Sequence, residues 1–488
     1  MDIKELYKLY QQHPCITTDS RNCPEGSIFL ALKGASFNGN KFAVQALEKG
    51  CAYAIVDEEN EELKDSSLFT LHSSLIRVSD CLQTYKDLAR EHRRQFDIPV
   101  IGITGTNGKT TTKELIRAVL AECYNVMATE GNFNNDVGVP KTLFRLNEEH
   151  DIAVVEMGAS HPGDIKTLVE TAEPSCGLIT NVGRAHLQGF GSFEGVCKTK
   201  GELYDFLISH DCPLFVNRDN EHLMNMLKTR QTSPSRGTEG VSQQPDIYYY
   251  GQSDNPDILI HGEVISCAPF LKFRWREQDS EAGYQSDWFT VQTHLIGAYN
   301  LDNILAAITL GYVNHIPFEQ INHAIANYVP SNNRSQMTVT EHNHLIVDAY
   351  NANPTSMKAA IDNFQMMEVS PKMAIIGKMG ELGDVEQEEH QKVVDMLAAA
   401  HFDKVWLVGE EFYNSVEWRT ENGEFATALD KGAGSTAAAN STLSTLHCKL
   451  FHDVEEVKAA IKEQQPQGYY ILIKGSNSNK LFELPELL

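Results

Sequence analysis

What the sequence lacks narrows its function before any motif is read. No run of about 18 consecutive apolar residues, enough to cross a bilayer, occurs in the 488 residues. The opening Met1-Asp2-Ile3-Lys4-Glu5-Leu6-Tyr7 also lacks the apolar core of a secretory signal. The expectation is a cytoplasmic protein with no membrane partner. Positive charge is scarce, with 41 Lys+Arg against 66 Asp+Glu and a formal net charge of −25. That balance argues against nonspecific binding to nucleic acid or anionic lipid, though not against a locally basic anion pocket. The ten cysteines contain no C-x-x-C pair and no zinc-like cluster with histidine, which fits a reducing compartment and mostly free, buried thiols. Also missing are the guanine-reading Asn-Lys-x-Asp, the G-x-S-x-G elbow, the H-E-x-x-H zinc helix and any repeat of fixed period.

What is present is ordinary globular composition, 42% hydrophobic and 22% charged, on a chain longer than the roughly 250–300 residues one core supports. A length prior gives about three domains. Residues 1–85 mix short apolar runs, such as 27–32 and 52–56, with a helical stretch over 41–49, a small α/β module. A helix over 81–96 leads into the apolar strand Val100-Ile101-Gly102-Ile103. From there strands alternate with helices, the runs 152–157 and 177–182 reading as buried strands of a parallel sheet. This central domain is placed at 86–330, with 228–246, rich in Ser, Gln, Gly and Pro, as a mobile surface loop. Residues 331–488 hold strand-like runs at 344–347, 373–376, 405–408 and 469–473, a Rossmann-like third domain with a low-complexity loop at 433–444. Residues 381–430 carry thirteen acids against three Lys/Arg, which reads as a solvated surface.

The strongest motif is Gly102-Ile-Thr-Gly-Thr-Asn-Gly-Lys-Thr-Thr-Thr112, between a strand and a helix expected over 113–123. Glycines let backbone N–H groups turn toward phosphate oxygens, and the helix N-terminus adds its positive end. Lys109 can neutralise β/γ-phosphates and the Thr110 hydroxyl can ligate Mg²⁺. The strict Walker pattern wants glycine where Ile103 stands, so this is a variant of it. Without a guanine-reading tetrapeptide, ATP is the expected nucleotide.

Other candidates stay open when taken singly. Glu156 ends a strand where a parallel sheet presents residues to its ligand crevice; it reads as a metal carboxylate or a plain strand-end acid. His186 reads as a metal or phosphate ligand, or as a structural histidine. The amide-rich Gly131-Asn-Phe-Asn-Asn-Asp-Val-Gly-Val-Pro140 and Asp348-Ala-Tyr-Asn-Ala-Asn-Pro354 are equally readable as ligand sites or turns.

Taken together, Thr104-Gly-Thr-Asn-Gly-Lys-Thr110, Glu156-Met-Gly-Ala-Ser, Asn181-Val-Gly-Arg-Ala-His186 and Lys200-Gly-Glu-Leu resemble the Mur ligases of peptidoglycan precursor synthesis. The 131–140 and 348–357 strings and Lys474-Gly-Ser476 are most similar to the branch of that family that joins D-alanyl-D-alanine to UDP-N-acetylmuramoyl-tripeptide. The resemblance implies an α/β protein of three domains: a small UDP-sugar-binding domain, a central P-loop ATPase-type parallel-sheet domain, and a Rossmann-like domain for the incoming amino component. It implies ATP-dependent amide formation through an acyl phosphate by a monomer, with one or two Mg²⁺.

Residue by residue, it assigns ATP to Thr104, Gly105, Thr106, Asn107, Gly108, Lys109, Thr110, Asn300, Asn303, Arg334 and Asp348. Metal goes to Thr110, Glu156, His186 and Lys200, the last matching a lysine these ligases carbamylate. Lys109, Glu156, His186 and Lys200 are the catalytic set. Substrate contacts fall to Ser20 and Arg21, to Asn132, Asn134, Asn135 and Asp136, and to Tyr350, Asn351, Asn353, Lys474 and Ser476. Ala349 and Asn477 depart from the family pattern, which has an acid and an arginine there. Competing readings are another Mur-type or folylpolyglutamate-type ligase, the latter carrying Lys where this chain has Asn107, or an ATP-binding regulator without ligase chemistry.

Overall fold

Apolar runs of five or six residues, too short for helices and rich in Val and Ile, become parallel strands, as their composition requires. In the computed structural model the described residues are 2–34, 36–58, 72–231, 245–279, 282–330, 336–413 and 448–488. Arg334, the 433–444 stretch and residues 232–244 of the expected 228–246 loop lie outside them. Residues 228–231 are not loop but the last turn of helix Glu221–Gln231.

Two compact units emerge. The first takes in Met1–Ile103, Tyr124–Gly158 and Gly163–Gly177, the second Thr104–Cys123, Ala159–Pro162 and Leu178–Leu488. Within the first, strands Ile16–Thr17, Ile28–Leu30, Tyr53–Val56 and Leu75–Arg77 pair in parallel in that order. Their core gathers Leu6, Phe29, Ile55 and Leu88. Helix Cys81–Arg93, capped by Asp80 accepting from the Gln83 N–H, packs on helices Ile3–Gln12, Gly138–Leu143 and Asp164–Ala172. A second parallel set brings Val100–Thr104 and Val126–Ala128 to either side of Ile152–Glu156, with Ile103 level with Glu156.

Within the second unit, Leu214–Asn217, Ile247–Gly251 and Ile258–Cys267 are parallel, and Phe270–Asp279 and Phe289–Ile296 continue the sheet antiparallel. A six-stranded sheet follows in the order Gln336–Val339, His344–Asp348, Tyr470–Lys474, Lys372–Gly377, Lys404–Val408, Cys448–Phe451, parallel except for the first. Its alternating residues feed two cores: Met373, Ile375, Ile471 and Ile473 on one face, and Ala374, Ile376 and Leu472 on the other. Among the described residues no helix is long and apolar enough to cross a membrane.

Two expectations are corrected. The helix after the phosphate loop begins at Lys109, not 113, and runs Lys109–Leu120. Its β-branched first turn is held by packing on helices Asn300–Val313 and Phe318–Asn327, which overrides weak propensity. The cysteines are all free, as expected, but only Cys51, Cys81 and Cys448 are buried.

Candidate active site

The loop after strand Val100–Thr104 is shaped by two glycines with different duties. Gly105 sits at φ +145°, and a Cβ there would lie 2.0 Å from Thr180 Oγ1. Gly108, at φ +78°, is the N-cap of helix Lys109–Leu120, and a Cβ on it would meet Asn303 Oδ1 at 2.6 Å. Both positions exclude side chains by conformation and by space. The loop is then laced to 180–183. Thr106 N–H donates to the Asn181 carbonyl at 2.9 Å, and Asn107 N–H to Asn181 Oδ1 at 3.0 Å. Asn181 Nδ2 and Thr180 Oγ1 donate to the Asn107 carbonyl at 3.0 and 2.6 Å. Lys109 curls back, its ammonium donating to the Gly105 and Thr106 carbonyls at 2.9 and 3.1 Å. The first turn of its helix carries no acid, so the positive helix end is not neutralised from within.

Beside this loop lie His186 and Lys200. His186, at φ +52°, precedes helix Leu187–Phe190, and its Nδ1 contacts the Glu381 carboxylate. Burial holds its imidazole below the usual range; Glu381 opposes that, and the ammonium groups of Lys109 and Lys200 reinforce it. Those two lysines therefore act on the same ring. Lys200, on helix Phe193–Ser209, is buried; its Nζ donates to the Ala159 carbonyl at 3.4 Å and lies 5.7 Å from the Phe190 ring centroid. Thr110 is buried as well. Among the described residues no three His, Cys, Asp or Glu converge into a ready metal cage. The Thr110 hydroxyl is an oxygen donor of the kind Mg²⁺ takes, an ion that keeps several waters and takes substrate phosphates as ligands.

The expected nucleotide-side asparagines tie helices together. Asn300 Nδ2 donates to the Ile296 carbonyl and Asn303 Nδ2 to Asn300 Oδ1, both at 2.8 Å. Asn303 Oδ1 accepts from Thr112 Oγ1 at 3.0 Å. From the six-stranded sheet, Asn353 caps helix Pro354–Met366 and exchanges amides with Asn107, at 2.8 and 3.4 Å. Lys474, fully buried, pairs with Asp348 at 2.7 Å and donates to the Asn351 carbonyl at 3.2 Å. Ser476 Oγ donates to the Lys378 carbonyl at 3.1 Å. Tyr350 is half-buried and Asn351 exposed. The structure thus joins the phosphate loop to the 348–353 segment, residues more than 200 positions apart.

In the first unit, Glu156 is buried and its Oε1 accepts from Asn134 Nδ2 at 2.8 Å. Asn135 Oδ1 accepts from the Gly138 N–H at 2.8 Å, the Asx role that was one of its two readings. Asn132 is exposed and Asp136 half-buried. Arg21 is taken up by Asp19, Nε to Oδ1 at 2.8 Å, and the Ser20 carbonyl accepts from Lys49 at 2.7 Å. Hydrogen bonds to Arg21 pull the Asp19 carboxyl down to about 2. Sequence reasoning missed Thr180, Asn181 and Glu381. The first two follow a buried strand at the same end as the phosphate loop, a signal that was available; Glu381 had none beyond its glycine-rich neighbours.

Comparison with known proteins places the whole chain. Residues 14–93 match the model for the Mur ligase family, catalytic domain, residues 103–311 the Mur ligase middle domain, and residues 333–477 the Mur ligase, glutamate ligase domain. The UDP-N-acetylmuramoyl-tripeptide–D-alanyl-D-alanine ligase of Synechocystis sp. is 32% identical over 95% of this chain and 89% of its own length. The same enzyme of Bacillus subtilis is 30% identical over 96% and 92%. A crystal structure of MurF from Acinetobacter baumannii superposes with a TM-score of 0.78 at 26% identity, covering 96% of this chain and 92% of that one. MurF ligase from Thermotoga maritima shares the fold at a TM-score of 0.76 and 23% identity, covering 97% and 96%.

Proposed function

The chain belongs to the Mur ligase family, and from that premise we propose that it joins D-alanyl-D-alanine to UDP-N-acetylmuramoyl-tripeptide at the expense of ATP, in peptidoglycan precursor synthesis. The observation that carries this reading is the Asn107–Asn353 amide exchange. It puts a phosphate loop and the 348–353 segment, most similar to the D-alanyl-D-alanine-adding branch, in one hydrogen-bonded assembly. In this reading residues 1–85 hold the UDP-sugar, 86–330 ATP and 331–488 the incoming dipeptide, in a cytoplasmic monomer.

A carboxylate is a poor electrophile because its leaving group would be oxide. An oxygen of the tripeptide carboxylate therefore attacks the γ-phosphorus, ADP leaves, and an acyl phosphate results. Negative charge spreads over the phosphoryl oxygens in that step, and positioned cations stabilise it. Lys109 supplies one such charge, released from the Gly105 and Thr106 carbonyls it bonds here. The amino group of D-alanyl-D-alanine then attacks the acyl carbon, loses a proton, and inorganic phosphate departs with the former carboxylate oxygen. Thr110, His186 and Lys200, with Glu156 added by the family resemblance, are the residues proposed to hold Mg²⁺. When bound, the ion shields phosphate charge and polarises the γ-phosphoryl group. A carbamylated Lys200 would turn a buried cation into an anionic ligand, although the Ala159 carbonyl and the Phe190 ring beside it suit the ammonium form.

Phosphate release should require ATP, UDP-N-acetylmuramoyl-tripeptide and D-alanyl-D-alanine together. Release with neither acceptor would replace this reading with the regulator, and release with glutamate-accepting substrates alone would replace it with the folylpolyglutamate-type ligase.

A further inference from the structure

We propose that Glu381 is a positioning residue for the ligase reaction: its carboxylate accepts the His186 Nδ1 proton and so turns Nε2 toward the metal and phosphates. The inference rests on the functional reading above. A carboxylate accepts but does not donate when ionised, so the ring nitrogen facing Glu381 is the one that carries hydrogen. The lone pair of the neutral ring is then on Nε2. An acid behind a metal-binding imidazole fixes its tautomer and orientation and raises its basicity.

Backbone conformation supports a built contact. Both partners are non-glycine residues in the left-handed region, His186 at φ +52° and Glu381 at φ +60°. L-residues adopt that region at a cost, and such costs gather at sites where a side chain must be aimed. The Glu381 side chain is 61% exposed, so an ion pair there adds little to stability.

The loop carrying Glu381 is braced on both sides. Gln188 N–H donates to the Glu381 carbonyl at 3.3 Å. Val385 packs against the cluster of Leu187, Phe190 and Val196, and Arg184 pairs with Glu389 at 3.4 Å. From below, Met379 N–H donates to His390 Nε2 at 3.0 Å. The segments 184–190 and 381–389 thus form one joint, and the six-stranded sheet supplies the acid that orients a ligand carried by another element. His186 is set for metal only while that joint is made.

The test uses the full chain with Mn²⁺ as probe, titrated by electron paramagnetic resonance in the presence of ADP, beside steady-state ligase assays. The wild type comes first: absence of ligase activity or of Mn²⁺ binding there removes the functional reading itself, whatever Glu381 does. With an active wild type, Glu381→Ala should raise the Mn²⁺ Kd and lower kcat each by about 10- to 100-fold, with the KM for D-alanyl-D-alanine changed less than about threefold. The melting temperature should move by less than about 2 °C. Glu381→Gln, whose amide oxygen still accepts from Nδ1, should recover part of both losses. A Glu381→Ala Mn²⁺ Kd within about twofold of wild type, or Glu381→Gln as impaired as Glu381→Ala, overturns the proposal.

Discussion

Two loops in this chain look alike in sequence and differ in what they can bind. Gly105-Thr-Asn-Gly-Lys109 and Gly377-Lys-Met-Gly-Glu381 each follow a buried parallel strand, carry two glycines and a lysine, and precede a helix. After the first, the helix begins at the lysine and its opening turn holds no acid. After the second, helix Glu386–Ala400 starts several residues later with Glu386, Glu388 and Glu389 in its first turn. Lys378 is moreover taken by Glu411 at 2.7 Å, whereas the Lys109 ammonium donates to loop carbonyls, groups a phosphate can replace. Glycine and lysine at a strand end therefore do not make an anion seat. The start of the helix and the sign of charge in its first turn decide.

The largest break in the comparison should come from the lysines. Lys109→Ala should cut kcat by about 10²- to 10³-fold with an unchanged melting curve. Lys378→Ala, which severs the pair with Glu411, should cost about 1 kcal/mol in denaturant unfolding and leave kcat within about threefold. Glycine substitution sharpens the contrast. Gly105→Ala should lose about 2–4 kcal/mol and ATP binding, because its Cβ would collide with Thr180 Oγ1 at positive φ. Gly380→Ala, with nothing within 4 Å of a new Cβ, should stay within about 0.5 kcal/mol of wild type.

Charge in the first turn is testable directly. Thr111→Glu gives the phosphate-loop helix the acid that the other helix already has, and should weaken ATP about 3- to 10-fold in a direct binding titration. A smaller difference lies in pH response. The Met379 amide is held by the neutral ring of His390, which burial keeps below its ordinary 6.5 despite the Glu386 carbonyl and nearby acids. A depressed folded value means that this support is complete above about pH 6.5 and is lost as pH falls through the folded value. Exchange of the Met379 amide, corrected for intrinsic rate, should rise by up to about tenfold per pH unit there. Thr106 and Asn107 amides, bonded to Asn181, should show no such limb.

These loops also show what a sequence can disclose. The phosphate loop was legible because local rules converge on it: a strand, closely spaced glycines, and a Gly-Lys-Thr run leading into a helix. The parallel strands were legible from apolar runs. The helix start was misplaced by four residues because Thr110, Thr111 and Thr112 are weak helix formers locally, while the bond from Thr112 to Asn303 is made across the fold. The antiparallel extension over 270–296 was overlooked although Phe289–Ile296 alternates between exposed and buried positions. The His186–Glu381 contact spans 195 positions, and nothing local in either segment announces the other.

The central claim is that the tripeptide carboxylate is phosphorylated at the site built around Lys109. Its most direct measurement uses UDP-N-acetylmuramoyl-tripeptide carrying ¹⁸O in both oxygens of the reacting carboxylate. With ATP and D-alanyl-D-alanine present, mass spectrometry should find one ¹⁸O in each inorganic phosphate released and one in the new amide carbonyl. Phosphate without ¹⁸O, its fourth oxygen coming from water, would contradict the account.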